Sequence, residues 1–298
     1  FPERRVVPCP VDYAPQRSPR FWELQRLLLD LVVPQFKYAI RNRRYDEVLS
    51  FIALLKRSVS TVAACRKTLT VVASRYQNLL TEAFETQDSR RQRLRTLRDC
   101  QRRMDRFGTA AADAQDEIQT IEEEDLAQAL AAIQRSTRSG DYRMRKLRDI
   151  SSGLADLIAL AAEAESEDPK LACLLEQITE IRRNEPGASV LIYTEYTASQ
   201  DAVKGYLAAH GLTDILTMSG HDDDLTRQQT TDRFRTEEGR ILLSTDAAAE
   251  GLNLHHRCHH LIHLELPFNP NRLEQRNGRI DRYGQTQEPV VRYLYLRN

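Results

Sequence analysis

The fold is decided by residues 241–285, which read ILLSTDAAAEGLNLHHRCHHLIHLELPFNPNRLEQRNGRIDRYGQ. Two short apolar runs in this stretch, Ile241–Ser244 and Leu261–Leu264, predict buried β-strands. Each run is followed by residues whose spacing is typical of a helix. A strand followed by a helix, and then repeated, predicts a parallel sheet covered by helices.

The same alternation extends over the C-terminal half of the chain. Further strands are predicted at Val190–Tyr193, Asp214–Met218 and Val290–Leu296, with helices at Thr197–His210, Thr226–Phe234, Ala247 to about Leu252 and Asn271–Arg282. The predicted fold class is therefore α/β, a parallel sheet with flanking helices over residues 168–298. Ligands of such sheets bind at the carboxyl ends of the strands, where we look for functional residues.

The first half of the chain has a different texture. Only three of the 11 glycines precede residue 160, and apolar residues recur there at helical spacing. We therefore predict a mainly α-helical region at residues 21–167. Residues 1–20 contain five prolines and are predicted to be an extended linker. Because the sequence begins at Phe1, we expect it to be a fragment of a longer protein.

Composition narrows the class of protein. The 298 residues have a formal net charge of zero, so any contact with nucleic acid must come from a local patch. The five cysteines are scattered and form no CxxC pair, which favours reduced thiols and a cytoplasmic location. No apolar run approaches the roughly 18–20 residues that a membrane span needs, so no membrane partner is expected.

A strongly charged segment lies inside the helical region. Residues 90–106 are rich in arginine, and residues 113–125 are rich in aspartate and glutamate. One interpretation is an antiparallel helical hairpin whose two arms neutralise each other. The other is that the arginine arm grips a DNA backbone. Both stay open.

Three arginines recur every third residue near the C-terminus. Arg276, Arg279 and Arg282 lie on the predicted helix Asn271–Arg282, where that spacing places them on adjoining parts of one face. Guanidinium groups present a fixed fork of donors that suits phosphate oxygens. A surface helix paired with neighbouring acidic residues explains the pattern equally well.

The segment LLSTDAAAEGLNL, residues 242–254, carries a second signal. Ser244 and Thr245 end a predicted strand, where hydroxyl groups can hold phosphate oxygens. Gly251 allows a close approach of the backbone. Taken alone, the segment also fits an ordinary junction between a strand and a helix.

Together with LIHLELPFNPNRLEQ, residues 261–275, these segments resemble motifs V and VI of superfamily-two helicases. GLNL, LPFNP and EQRNGRIDRYGQ are typical of the Swi/Snf branch and are most similar to its bacterial RapA type. VLIYTEYTASQ, residues 190–200, resembles motif IV. The turn Ser219–Gly220, with Arg227 and Phe234 after it, resembles the motif that follows. The resemblance covers about residues 185–298 and implies a RecA-like helicase C-terminal lobe.

The resemblance implies a motor in which two RecA-like lobes clamp one ATP and move along double-stranded DNA. It assigns Arg279 and Arg282 as catalytic arginine fingers. It places Gln275, Glu250, Gly251 and Asn253 at the nucleotide, and Thr245, Tyr193, Thr194 and Ser219 along the DNA. Magnesium would be held by the first lobe of the same polypeptide. RNA polymerase and phage-defence proteins are further partners that the resemblance leaves open.

The phosphate-binding half of such a motor is missing from this sequence. No GxxxxGK[ST] motif occurs, and Asp46–Glu47 begins like a DExH box but lies in a helical pattern. We therefore expect this chain alone to be inactive. Two alternatives stay open: a lobe of a strand-separating helicase, and a non-catalytic helical interaction module with a vestigial RecA lobe.

A dense group of potential metal ligands lies between the two motifs: His255, His256, Cys258, His259, His260 and His263. Zinc sites usually need ligands that converge from separated positions, whereas neighbours on a strand face opposite ways. The sequence therefore predicts no metal site here.

Overall fold

The computed structural model describes residues 2–41, 55, 57–85, 140–246, 253–267 and 269–297. The chain forms two compact units, one made of Phe1–Ser18 with Asp168–Asn298 and the other of Pro19–Glu167. The arginine-rich and acidic segments, the predicted helix Ala247 to Leu252, and with it Glu250 and Gly251, lie outside the described residues.

The unit Pro19–Glu167 is α-helical in its described part, as predicted. Its helices are α1 (Pro19–Arg41), α2 (Val62–Glu85) and α3 (Gly140–Ala164), and a short 3-10 turn follows at Glu165–Glu167. α1 and α2 both pack against α3. The buried apolar residues of these helices include Leu24, Leu28, Leu69, Leu154 and Leu157.

The other unit is built on a parallel sheet, which confirms the predicted fold class. Its elements are β1 (Arg5–Asp12), α4 (Pro169–Asn184), β2 (Ser189–Thr194), α5 (Thr197–Ala209), β3 (Ile215–Met218), α6 (Asp224–Thr236), β4 (Ile241–Thr245), β5 (Cys258–His263), α7 (Pro270–Asn277) and β6 (Val290–Arg297). The strand order is β1-β6-β5-β2-β4-β3, and every pair is parallel. The carboxyl ends of all these strands therefore lie along one edge of the sheet.

Both faces of the sheet are covered, which explains why its central strands are rich in apolar residues. Every residue of β2 and β4 is buried. Alternate residues of β2 face opposite sides: Val190 and Ile192 pack with α4 and α5, whereas Leu191 and Tyr193 pack with Phe234 of α6. None of the described helices combines the length and the apolar character that a membrane span requires.

The N-terminal segment differs from its prediction. Residues 1–20 were expected to be a linker, but β1 pairs with β6 in register from Arg5 opposite Val290 to Asp12 opposite Arg297. The prolines argued against a strand in the sequence, because proline has no backbone N–H to donate to a neighbouring strand. Pro8 and Pro10 are tolerated because β1 is the edge strand and one of its sides has no partner strand among the described residues.

Candidate functional site

Three acidic residues mark the carboxyl edge of the central strands. Glu195 follows β2, Asp246 follows β4, and Glu265 lies just beyond β5. β5, β2 and β4 are neighbours in the sheet, so parallel pairing brings the three residues to the same place. Each belongs to a segment that the sequence linked to a helicase motif or to the connection between two such motifs.

Arg276 of α7 lies in the middle of these acids and is only 2% exposed. Its Nε and Nη2 donate to the two carboxylate oxygens of Asp246 at 2.5 and 2.7 Å, and its Nη1 donates to the carbonyl of Glu265 at 3.1 Å. The guanidinium also stacks 5.2 Å above the ring of Tyr193. Burial lowers the pKa of Arg276, but the bond to Asp246 and the nearby carboxylates raise it on balance. Arg276 is thus a charged internal tie rather than a free phosphate ligand, which corrects its place in the predicted arginine row.

A second set of bonds fixes the ends of β2 and β5. Glu265 is buried and accepts hydrogen bonds from the Thr194 hydroxyl at 3.1 Å and from the Glu195 amide at 3.2 Å. The ammonium of Lys170, at the start of α4, donates to the carbonyl of Leu264 at 2.8 Å. Burial lowers the pKa of Lys170, and the charge of Glu265 opposes that shift. The strand ends are therefore held by buried polar groups as well as by apolar packing.

α7 is shorter than predicted, and this changes where two arginines lie. The helix spans Pro270–Asn277, whereas Arg279 and Arg282 lie in the turns that follow. Gly278 is a poor helix former, and the amide of Ile280 bonds only three residues back, at 3.1 Å. Ile280 is fully buried and packs with residues of the sheet, which holds the turn there. The prediction that one helical face carries all three arginines was therefore wrong.

The two predicted arginine fingers occupy different environments. Arg279 is half-buried, and its charge opposes the rise that burial causes in the pKa of Tyr193. Arg282 is exposed and donates to the side-chain oxygen of Asn253. The carbonyl of Asn253 also accepts a bond from Arg235 at 3.1 Å. The structure therefore brings together Arg282 and Asn253, two residues that the resemblance placed at the nucleotide.

Gln275, also predicted at the nucleotide, is exposed on α7. Its neighbour Arg276 points into the molecule, so the same helix offers one side to the interior and one to solvent.

The residues predicted along DNA lie at neighbouring strand ends but are mostly covered. Thr194 pairs with Thr245 in register, and the exposed fractions of these residues are 0% and 6%. Tyr193 is also 0% exposed. Ser219 is half-buried at the end of β3, where its amide and hydroxyl donate to the carboxylate of Asp222 at 2.7 and 3.2 Å.

Sequence reasoning missed the buried network of Lys170, Asp246 and Glu265. A usable signal existed for Asp246 and Glu265, because a charged residue just beyond a buried parallel strand must find a partner at the edge of the sheet. The sequence could not identify that partner, since Arg276 had been placed on a solvent-facing row.

His263, at the end of β5, gives this edge a pH dependence. Its Nε2 lies 2.9 Å from the side-chain oxygen of Asn277, and burial lowers its pKa to about 4. The unfolded chain, with a histidine pKa near 6.5, binds more protons below that pH than the folded chain does. The ionisation of His263 therefore leaves the free energy of unfolding unchanged above pH 6.5 and lowers it as the pH falls towards 4. His263→Gln should remove on the order of 2 to 3 kcal/mol of this loss, measured by urea unfolding across the pH range. The matched variant His221→Gln, at an exposed histidine, should keep the parent slope; an unchanged slope in His263→Gln would contradict the assignment.

Comparison with known proteins bears on this edge of the sheet. Residues 169–284 match the family described as the helicase conserved C-terminal domain. The uncharacterised ATP-dependent helicase YqhH of Bacillus subtilis is 33% identical over 133 residues, which cover 41% of this chain and 23% of the relative. The RNA polymerase-associated protein RapA of Pectobacterium atrosepticum is 30% identical over 139 residues, which cover 44% of this chain and 13% of RapA. The alignments thus span less than a quarter of either relative.

The fold has a similar counterpart among solved structures. The C-terminal part of the Fun30 ATPase domain gives a TM-score of 0.54 at 13% sequence identity, over 100% of this chain and 86% of that one. At that identity the likeness concerns the fold alone.

Proposed function

We propose that the chain is the second motor lobe of an ATP-dependent double-stranded DNA translocase of the Swi/Snf type, a proposal that starts from the match of residues 169–284 to the helicase conserved C-terminal domain. The observation that carries the proposal is that the three arginines lie in different environments. Arg276 holds the site together from inside, whereas Arg282 stands exposed beside Asn253.

The proposed role of Arg279 and Arg282 is to stabilise charge on the phosphoryl group that is transferred. Guanidinium groups placed before the reaction at the point where charge develops need no rearrangement in the transition state. Asn253 would hold Arg282 in position, and the buried Ile280 would fix the turn that carries both arginines. Gln275, with Glu250 and Gly251, is proposed to complete the nucleotide side of this lobe.

Two of the carboxylates at this edge are already engaged by the protein. Asp246 is bound at both oxygens by Arg276, and Glu265 is bound at both oxygens by Thr194 and the Glu195 amide. On the resemblance, we propose that the other lobe holds magnesium and also binds the phosphates of ATP.

The proposed DNA path follows the ends of β2, β4 and β3. Thr245 and Ser219 remain the proposed backbone contacts on this path. Because Tyr193 and Thr194 are completely buried, their proposed part is to support the strand ends from beneath. RNA polymerase or defence proteins as partners rest on the resemblance alone.

This chain, expressed by itself, should show no DNA-stimulated ATP hydrolysis. Its sequence contains no GxxxxGK[ST] motif with which to cradle the phosphates. Phosphate release would be measured with and without duplex DNA for the parent chain, for Arg282→Ala and for Arg183→Ala, a variant at an exposed arginine at the end of α4. Turnover that duplex DNA stimulates and that only Arg282→Ala abolishes would show that the chain is active alone.

A further inference from the structure

The histidine-rich segment before and within β5 is not used by the proposed motor. It lies at the amino-terminal edge of the sheet, opposite the strand ends described above, because Cys258 begins β5. Pairing between β2 and β5 is irregular there. Ser189 lies opposite Cys258 and Val190 opposite His260, so His259 is an extra residue and forms a β-bulge.

The bulge removes the reason for expecting no metal at these histidines. Consecutive residues of a regular strand face opposite sides, but a bulge places two residues opposite one and re-aims a side chain. The rings of His259 and His260 are accordingly only 4.1 Å apart between centroids. Both rings lie beside Glu185, the C-cap residue that follows α4 and precedes β2.

The distances among the three side chains approach those of a metal site. Nε2 of His259 is 2.8 Å from one oxygen of Glu185, and Nε2 of His260 is 3.3 Å from the other. One ligand atom from each residue can be chosen so that all lie within 4.8 Å of one another. Ligands about 2.0–2.2 Å from a tetrahedral zinc ion lie roughly 3.3–3.6 Å apart, so only small movements are needed.

The Nε2 atom of His260 points to a ligand by itself. The side chain of His260 is 4% exposed, and within the described part of the chain its Nε2 makes no hydrogen bond of acceptable geometry. The nearby Glu185 oxygen at 3.3 Å is poorly aligned with this buried nitrogen, and a poorly satisfied buried nitrogen carries a free-energy cost that a bound ion removes. Glu185 and His259 also line an open cavity of about 320 Å³, which leaves room for water at a fourth position.

We propose that Glu185, His259 and His260 bind one divalent transition-metal ion of the Zn²⁺ class. Two imidazoles and one carboxylate are ligands that zinc accepts, with water completing the tetrahedron. The ion joins the end of α4 to the start of β5 and so stabilises this unit. The site is separate from the arginines of the motor, and it holds whether or not the motor function is correct.

Arg292 of β6 competes with the ion for His260. Its Nη1 lies 3.2 Å from Nδ1 of that ring. An arginine can only donate, so this bond leaves the proton of the neutral imidazole on Nε2, the atom that a metal requires. Metal binding moves the proton to Nδ1 and breaks the bond to Arg292. Arg292→Met removes the competing donor at similar side-chain length and should tighten the binding of Zn²⁺.

The test is calorimetric titration of Zn²⁺ into the metal-stripped chain without a polyhistidine tag. We expect one ion per chain for the parent. Loss of an outer-shell partner weakens metal binding by about 10- to 100-fold. Glu185→Gln and His259→Gln each lose a direct ligand, so they should bind Zn²⁺ more weakly by at least that factor. His221→Gln, at an exposed histidine away from the cluster, should bind like the parent. Circular dichroism would check that each variant folds.

Thermal unfolding gives a second measurement. An ion at a hundredfold excess over its Kd should raise the Tm of the parent and of His221→Gln by about 5 to 10 °C, but not that of Glu185→Gln or His259→Gln. The proposal is overturned if the parent binds no ion, or if the cluster variants bind as tightly as the parent. It is also overturned if His221→Gln weakens binding equally, which would indicate only scattered surface histidines. If Arg292→Met folds but binds Zn²⁺ no more tightly than the parent, His260 is not a ligand. The site of three ligands is then also overturned.

Discussion

Arg282→Ala in the full-length protein is expected to lower DNA-stimulated kcat by about 10³-fold or more, the range over which arginine fingers act. Arg282 is exposed and donates a hydrogen bond to the side chain of Asn253, so its removal should cost the fold little. Arg282→Lys should recover only a small part of the rate, because a lysine lacks the planar fork of donors. The measurement is steady-state phosphate release at saturating ATP and duplex DNA.

The arginine-finger assignment requires that DNA binding survives the loss of turnover. Arg282→Ala should bind duplex DNA with the affinity of the parent, and Arg183→Ala should match the parent in both rate and affinity. Arg279→Ala should also lose turnover, with a modest loss of stability because Arg279 is half-buried. Normal turnover in Arg282→Ala would return this segment to the alternative of a charged surface without a catalytic part.

The parallel sheet was predictable because its signal is local and strong. Strands such as Ile241–Thr245 begin with an apolar run and are wholly buried, and each lies between segments with helical spacing. β1 was not predictable in the same way. Pro8 and Pro10 argue against a strand unless that strand is known to lie at an edge, and only the distant pairing with β6 establishes the edge.

The sequence could suggest which candidate residues lie near one another but not how deeply each is buried. Periodicity could place Arg276, Arg279 and Arg282 near one another, and Arg282 does lie beside Asn253. Periodicity could not show that α7 ends at Asn277, because the burial of Ile280, which acts together with Gly278, depends on packing against the sheet. The end of that helix separates an internal arginine from the two that follow.

The histidine segment shows the same limit in the opposite sense. Strict alternation along β5 predicts that His259 and His260 face apart, and the single extra residue at the bulge places both beside Glu185. A bulge depends on how two distant strands align, here β2 and β5. The spacing of residues within β5 contains no record of that alignment.

Arg276→Ala should lower the free energy of unfolding of this chain by about 3 to 5 kcal/mol, the range for removing one partner of a buried ion pair. The change leaves the carboxylate of Asp246 and the carbonyl of Glu265 without their donor, and it removes the cation above the Tyr193 ring. Urea unfolding of this chain measures the loss. Arg272→Ala, on the same helix and half-exposed, should stay within about 0.5 kcal/mol of the parent. The double variant Arg276→Met with Asp246→Asn should recover part of the loss, since no unpaired charge remains. If Arg276→Ala lowers the free energy of unfolding by less than about 1 kcal/mol, Arg276 does not hold the strand ends together. The prediction of three equivalent arginines would then be the better interpretation.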